Sequence, residues 1–108
     1  LMNEPRTPRN ERVLVVDDDP GVGESVRLLL ESIGCQVELV ANGNDGLARA
    51  LSGEFDLLIS DLRLPDRDGL SIIRSVKEAG ADLPMILMTS FSSVDTAVEA
   101  LRSGALDY

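Results

Sequence analysis

The sequence predicts an α/β fold, a doubly wound parallel sheet with helices on both faces. Two observations predict it. Short apolar runs of the kind found in buried parallel strands recur along the chain. Each of the first four runs is followed by apolar residues at helical spacing, and repeated strand–helix units favour parallel sheets. The 108 residues are enough for one domain, which we expect to span residues 11–108 behind a flexible arm of residues 1–10.

The first strand–helix unit has clear start and stop signals. A strand is predicted over residues 12–17. Asp19 followed by Pro20 is typical of an N-cap and a first helical position, and Gly34 is the expected C-terminal glycine. The apolar positions of this first helix, which we expect on its inner face, are Val22, Val26, Leu29, Leu30 and Ile33.

The next two units repeat the pattern. Strands are predicted over residues 36–41 and 55–61, and the second is followed by a loop over residues 62–68. Asn42 is placed to cap the second helix. The inward-facing residues are predicted to be Leu47, Ala50 and Leu51 in the second helix and Leu70, Ile73 and Val76 in the third.

The last part of the sequence predicts a fourth unit and the start of a fifth. A strand is predicted over residues 83–88, and Ser92 with Asp95 resembles a capping box. The fourth helix would end at Gly104, and a fifth strand would begin in residues 105–108. The apolar stripe of the fourth helix is predicted to consist of Val94, Ala97, Val98 and Leu101. Because a shortened fifth strand without a fifth helix leaves sheet surface uncovered, we expect a longer parent chain.

Composition excludes several classes of function. The formal net charge of −9 repels a phosphate backbone, so we expect no direct nucleic-acid binding. No apolar run approaches the length of a membrane span, and the start of the sequence is polar, unlike a signal peptide. Cys35 is the only cysteine, which excludes an intrachain disulfide. These features predict a reduced, cytoplasmic protein.

Acidic side chains follow the predicted strands where the strands end. Asp17 and Asp18 close the first strand, Asp61 closes the third, and Thr89 follows the fourth. Ligands of open α/β sheets bind outside these carboxyl ends, and crowded carboxylates are usually compensated by a hard divalent cation. We therefore expect Mg²⁺ bound by Asp18 and Asp61, with Asp17 in support and the backbone carbonyl of Arg63 completing the ligands.

This arrangement predicts phosphoryl transfer. The Asp61 carboxylate can attack phosphorus and form an acyl phosphate, and the Thr89 hydroxyl can donate to a phosphoryl oxygen. A single acid after a strand is more often a turn or cap residue, and we assign Asp19 to that role. The loop residues given the same assignment are Asp66, Arg67 and Asp68.

Four segments carry a resemblance to a known family. They are VVDDDP at residues 15–20, DLRLPDRDG at 61–69, MTS at 88–90 and GALDY at 104–108. With these segments the chain resembles the receiver domain of bacterial two-component response regulators. The resemblance implies a flavodoxin-like fold, with a five-stranded parallel sheet in the order 2-1-3-4-5 and five helices.

The resemblance also implies roles for individual residues. Asp61 would be the phosphoacceptor, Asp17 and Asp18 the acidic pair at the metal, Thr89 the switch hydroxyl and Tyr108 the switch aromatic residue. The family has a lysine shortly after the Tyr108 position, and the sequence ends before it. We expect that lysine and the fifth helix in the parent chain, and the single lysine present, Lys77, is not its equivalent.

The implied partners are a sensor histidine kinase and a C-terminal effector domain that regulates transcription. A homodimer through the fourth helix and the fifth strand is also implied. Residues 92–101 resemble the receivers of enhancer-binding regulators that act with sigma-54 polymerase. The domain would accept phosphate on itself and assist its own phosphorylation, and would not be an enzyme in the usual sense.

Two other readings of the acidic residues stay open. In a haloacid-dehalogenase-like Mg²⁺ phosphatase, Asp17 would be the nucleophile, Asp19 the acid and Thr89 part of a second motif. That interpretation leaves the pattern of residues 61–69 unexplained. In the second alternative, the chain is an interaction module that works without phosphorylation. The intact set of acidic residues argues against this interpretation.

Overall fold

A computed structural model of the protein describes residues 11–88 and Arg102. The flexible arm, Thr89, the fourth helix, the fifth strand and Tyr108 were predicted from sequence and lie outside the described residues. In chain order the elements are β1 (Arg12–Val16), α1 (Pro20–Ser32), β2 (Gln36–Val40), α2 (Gly43–Ala50), β3 (Leu57–Asp61), α3 (Gly69–Glu78) and β4 (Met85–Met88).

Within the described residues the strands form one parallel sheet in the order β2-β1-β3-β4. Val16 at the end of β1 pairs with Val40 of β2 and with Ser60 of β3. Asp61 at the end of β3 pairs with Met88 of β4. The carboxyl ends of the strands therefore lie along one edge, and the predicted doubly wound sheet is confirmed, with an order that matches its first four strands.

The core is aliphatic and lies on both faces of the sheet. On one face, β1, β3 and β4 pack against α2 and α3 through Leu14, Val16, Ala50, Leu58, Ile72, Ile73, Val76, Leu83, Met85 and Leu87. On the other face, Val13, Val15 and Ile59 pack with Val26 and Leu30 of α1. Burying one such side chain contributes roughly 1.5–3 kcal/mol, so these two layers fix the ends of the strands in space.

Each of the three described helices follows a capping residue, and the sequence singled out two of these residues, Asp19 and Asn42. Asp19 accepts hydrogen bonds from the first turn of α1, Asn42 accepts from Asp45 N–H, and Asp68 accepts from Ser71 N–H. Caps of this kind contribute roughly 1 kcal/mol each. Gly34 follows α1 with φ 97°, a left-handed conformation that favours glycine. These caps start each described helix shortly after the carboxyl end of the preceding strand or its loop.

The strands are shorter than predicted by one or two residues at their ends. Asp17 and Ala41 lie beyond the last paired residues of β1 and β2. At the other end, the β3 ladder begins at Leu57, opposite Val13, and the β4 ladder begins at Met85, opposite Leu58. Beyond these points Phe55 and Leu83 still pack against the core, and single backbone hydrogen bonds continue, from Asp56 N–H to Arg12 O and from Leu58 N–H to Pro84 O.

Four residues predicted to face inward are instead exposed. The exposed fractions are 44% for Val22, 68% for Leu29, 72% for Ile33 and 44% for Leu51. The apolar arc of α1 is wider than the surface it buries, because the helix approaches the sheet at Gly23, close to the side chain of Leu39. Leu51 is the C-cap of α2, where the helix turns away.

Candidate functional site

The end of β1 brings two carboxylates to the site edge. Asp17 follows the last residue of β1, and its N–H donates to Val40 O at 3.0 Å, which extends the pairing with β2 by one step. Asp17 is 8% exposed, whereas Asp18 is exposed. The Asp17 Oδ1 accepts the Asp19 N–H at 2.9 Å. The tight turn into α1 therefore holds the Asp17 carboxylate in one orientation.

The third carboxylate comes from β3. Asp61 is the last residue of that strand and is half-buried. Its Oδ1 lies 3.4 Å from the Arg63 N–H, and the buried Ser60 hydroxyl donates to the Asp61 carbonyl oxygen at 3.0 Å. Side chain and backbone of Asp61 are thus both held by their immediate neighbours. The sequence did not indicate this contribution of Ser60, because a serine within a predicted strand has no pattern that marks it as part of a site.

The structure brings the three predicted acids together. One carboxylate oxygen each from Asp17, Asp18 and Asp61 lies within 4.8 Å of the other two. Burial raises the pKa of Asp17, and the negative charges of Asp61, Asp18 and Asp19 add to that rise, while the hydrogen bond from Asp19 N–H opposes it. The cluster therefore carries negative charge that its own surroundings do not fully compensate.

A glycine allows the loop after Asp61 to return against the strand. Gly69 N–H donates to Leu62 O at 2.7 Å. A Cβ at this position would lie 2.6 Å from Leu87 Cδ1 and would overlap the carbonyl oxygen of Asp61. Arg63 and Asp68 pair across the base of the loop. The return of the chain fixes the backbone on both sides of the Asp61 carboxylate.

A comparison with protein families identifies this arrangement. The family described as "Response regulator receiver domain" matches residues 13–108. The chain belongs to this family. The resemblance noted in the sequence is thereby confirmed, and the acidic cluster is the carboxyl edge of a receiver domain.

Curated relatives of the receiver domain include transcriptional regulators. The transcriptional regulatory protein ZraR of Salmonella typhimurium is 43% identical over 96 residues, which cover 89% of this chain and 22% of that protein. DltR of Streptococcus agalactiae, also named a transcriptional regulatory protein, is 41% identical over 97 residues, which cover 90% of this chain and 43% of that protein. The chain therefore spans less than half the length of these relatives.

Solved receiver structures have the same fold. The receiver domain of Francisella response regulator 1452 matches with a TM-score of 0.86 and 26% identity, covering 92% of this chain and 82% of that one. A CheY-like receiver domain protein from Methanospirillum hungatei matches with a TM-score of 0.85 and 31% identity, covering 93% and 80%. These likenesses confirm the flavodoxin-like architecture expected from the sequence.

The acidic cluster of the receiver domain fits a hard divalent cation. Its three side chains offer only carboxylate oxygens, the ligands that such cations prefer. The raised pKa of Asp17 is a second sign of fit: burial is its main cause and the neighbouring carboxylates add to it, and a bound cation would favour the charged form against both. No other group of three such side chains close enough to share an ion occurs among the residues described. Lys77, in the last turn of α3, is exposed, in line with its exclusion from the site.

The phosphatase interpretation is not supported. The Asp19 carboxylate accepts hydrogen bonds from Gly21 and Val22 at 2.9 and 3.3 Å, so it caps α1 and does not belong to the cluster. The match to the receiver family accounts for residues 61–69, which that interpretation left unexplained.

In the described part of the chain no helix has the length and hydropathy of a membrane span.

Proposed function

We propose that this receiver domain takes a phosphoryl group from a sensor histidine kinase onto Asp61 and thereby switches an effector domain. One observation carries the proposal. Asp61 ends β3 at the point where the carboxylates of Asp17 and Asp18 converge on it from β1. A nucleophilic carboxylate beside two further carboxylates is the arrangement needed for a metal-assisted phosphoryl transfer to protein.

In the proposed reaction an Asp61 carboxylate oxygen attacks the phosphorus atom. The bond from phosphorus to the donor's imidazole nitrogen, or to the oxygen of a small acyl phosphate, breaks, and the leaving group departs with that electron pair. Mg²⁺, when bound, would supply positive charge against the transferring oxygens. Asp17, Asp18 and Asp61 would hold the ion, together with the backbone carbonyl of Arg63. Asp17 is held for this role by the Asp19 N–H.

The response to phosphorylation is proposed from the sequence. Thr89 would donate to a phosphoryl oxygen and move toward it, and Tyr108 would follow. That change would bias the surface of the fourth helix and fifth strand toward a homodimer or an effector contact. The domain would assist its own phosphorylation and dephosphorylation without acting on other substrates.

The proposed effector acts in transcription. ZraR and DltR are named transcriptional regulatory proteins and extend well beyond the region matched by this chain. Residues 92–101 favour an effector of the sigma-54 enhancer-binding type. Because the net charge of −9 repels DNA, the receiver domain would leave DNA binding to the effector. The proposal places this pathway in the cytoplasm.

Intact-mass spectrometry after incubation with acetyl phosphate and Mg²⁺ tests the proposal. The variants are Asp61→Asn and Asp17→Asn, and the matched control is Asp82→Asn, which removes the same charge from an exposed site. We expect one phosphoryl adduct in the wild type and in the control, dependent on Mg²⁺ and absent from Asp61→Asn. The adduct should form far more slowly in Asp17→Asn.

Two outcomes would contradict the proposal. An adduct that persists in Asp61→Asn and disappears in Asp17→Asn would make Asp17 the nucleophile. Absence of an adduct in the wild type, with Mg²⁺ bound and with the kinase as well as acetyl phosphate as donor, would favour an interaction module that does not use phosphorylation.

A further inference from the structure

An acidic residue of the β3–α3 loop (residues 62–68) contacts a helix that is remote in sequence. The Asp66 Oδ1 accepts the Gly43 N–H at 2.7 Å, and its Oδ2 accepts the Asn44 N–H at 2.8 Å. Gly43 and Asn44 are the first two residues of α2. The next N–H group of that first turn, from Asp45, donates to Asn42 Oδ1. Asp66 therefore satisfies two N–H groups that the helix cannot pair internally.

Two further features indicate that this contact is specific. The hydrogen bond from Gly43 is the main cause that lowers the pKa of Asp66, so the carboxylate is ionised where the helix N-terminus favours negative charge. The stem of Arg67 lies over Gly43. A Cβ on Gly43 would lie 2.9 Å from Arg67 Cδ and 3.1 Å from Asp66 Oδ1. A side chain at the start of α2 would therefore force Arg67 to move and would crowd the Asp66 carboxylate.

The same loop carries the backbone next to the phosphoacceptor. Its base is held by Leu62 N–H to Met88 O at 3.0 Å, by Gly69 N–H to Leu62 O at 2.7 Å and by the pairing of Arg63 with Asp68. Three residues after Arg63, Asp66 holds the tip of the loop. Arg63 itself stands in the base, where it pairs with Asp68 and its N–H lies 3.4 Å from Asp61 Oδ1. The contact of Asp66 with α2 therefore restrains the segment that leads from Arg63 to its partner Asp68.

We propose that Asp66 is a positioning residue: by holding the loop tip to the start of α2, it fixes the Arg63 backbone in place for cation binding beside Asp61. This inference rests on the proposed function, since it concerns the same metal site. Outer residues that orient metal ligands typically change metal affinity by about 10–100-fold when they are replaced. The coupling is reciprocal, so a cation at the site should also stabilise the first turn of α2.

Calorimetric titration of the full chain with Mg²⁺ tests the inference. The variants are Asp66→Ala, Asp66→Asn and Gly43→Ala, and the control is Asp82→Asn, which removes an equal charge from an exposed position. We expect Kd for Mg²⁺ to rise about tenfold in Asp66→Ala, less in Asp66→Asn and not at all in Asp82→Asn.

Gly43→Ala separates positioning from simple helix stability. Alanine has a higher helix propensity than glycine, so an effect through helix stability alone would leave Mg²⁺ affinity unchanged. Under the inference, the new Cβ displaces Arg67 and Asp66, and Kd rises as in Asp66→Ala.

Hydrogen exchange in the wild type gives a readout that does not depend on any variant folding. We expect Mg²⁺ to slow exchange of the Gly43 and Asn44 amides. As a separate comparison, the slowing should be absent in Asp66→Asn.

Each failure has its own signature. If the wild type binds Mg²⁺ and Asp66→Ala binds it with the same Kd, the positioning role is wrong and the proposed function stands. Exchange at Gly43 and Asn44 that is unaffected by Mg²⁺ would lead to the same conclusion. If the wild type binds no Mg²⁺, both the metal site and the positioning role are overturned.

Discussion

Charged side chains gather at both ends of the receiver-domain sheet, and the two groups differ in how their charges are balanced. At the carboxyl end, oxygens of Asp17, Asp18 and Asp61 lie within 4.8 Å of one another. Like charges at such distances repel. Asp17 accepts a hydrogen bond from the backbone N–H of Asp19, and Asp61 accepts one from the backbone N–H of Arg63.

At the amino end, the charges pair with each other. The Arg49 guanidinium contacts Glu38 at 2.6 Å and Glu54 at 2.8 Å. Arg12 reaches Glu54 at 3.5 Å. Both guanidinium groups lie over the ring of Phe55, at 5.3 Å for Arg12 and 5.2 Å for Arg49. Two arginines and two glutamates at this end therefore balance one another.

The pKa shifts express the same difference. The hydrogen bonds of Arg49 lower the pKa of Glu38 and of Glu54, whereas burial and neighbouring carboxylates raise the pKa of Asp17. A cluster that compensates its own charge has a structural role. A cluster that leaves negative charge uncompensated is suited to bind a cation from solution, which is the role proposed for the carboxyl end.

The largest effect expected at the functional end is steric. In Gly69→Ala the new Cβ would overlap the Asp61 carbonyl oxygen and Leu87, so we expect a loss of about 3 kcal/mol in the free energy of unfolding. Gly23→Ala is the matched control, because its Cβ would meet Leu39 at an ordinary 3.6 Å inside a helix. Urea denaturation of the two variants measures this. Equal stability in both would show that the loop does not pack against Asp61.

Mg²⁺ should stabilise only through the carboxyl end. At about 100 times its Kd, we expect Mg²⁺ to raise the free energy of unfolding by about 2.7 kcal/mol, and removal with EDTA to reverse the gain. Asp18→Asn should lose most of this gain. Glu54→Gln, at the amino end, should keep it. Thermal unfolding with and without Mg²⁺ is the measurement, and an equal gain in Asp18→Asn would remove the distinction between the two ends.

Asp17→Asn should stabilise the Mg²⁺-free domain at pH 7. The raised pKa of Asp17 means that the folded state disfavours the charged form, and asparagine keeps the oxygen that accepts from Asp19. We therefore expect the free energy of unfolding to rise in this variant. In the wild type, the destabilisation caused by the buried Asp17 charge is complete at pH values above the folded-state pKa of Asp17. It disappears as the pH falls toward 3.8, the ordinary pKa of this side chain.

Urea denaturation without Mg²⁺ across this pH range measures the effect of Asp17→Asn. The control is Asp19→Asn, which removes an exposed charge and retains an N-capping residue. A gain of the same size in both variants, or one that grows as pH falls, would show that burial of Asp17 is not its cause.

The smallest effect belongs to the amino end. Arg49→Gln should lower Tm slightly, since the pairs it forms are partly exposed and such pairs contribute little. The difference from wild type should shrink in 1 M NaCl, because salt at roughly that concentration screens exposed charges. Mg²⁺ binding should not change. Differential scanning calorimetry at two salt concentrations checks this, and a large loss that ignores salt would point to packing against Phe55.

The sequence alone determined the order of the described strands and helices, two helix caps and the acids at the carboxyl edge of the sheet. Asp17, Asp18 and Asp61 could be assigned because parallel strands bring their carboxyl ends to one edge, and the structure confirms their convergence. Asp19 and Asn42 could be assigned as caps because their hydrogen-bond partners lie two or three residues away. Features with local causes are readable in this way.

The tertiary structure alone decided features that depend on distant partners. Asp66 has the local sequence of a loop residue, yet it caps a helix whose first residue lies 23 positions earlier. The apolar arc of α1 did not reveal that Val26 and Leu30 contact the sheet while Leu29 and Ile33 remain exposed. Periodicity gives the width of an apolar face, but the approach of the helix to the sheet decides how much of that face is buried.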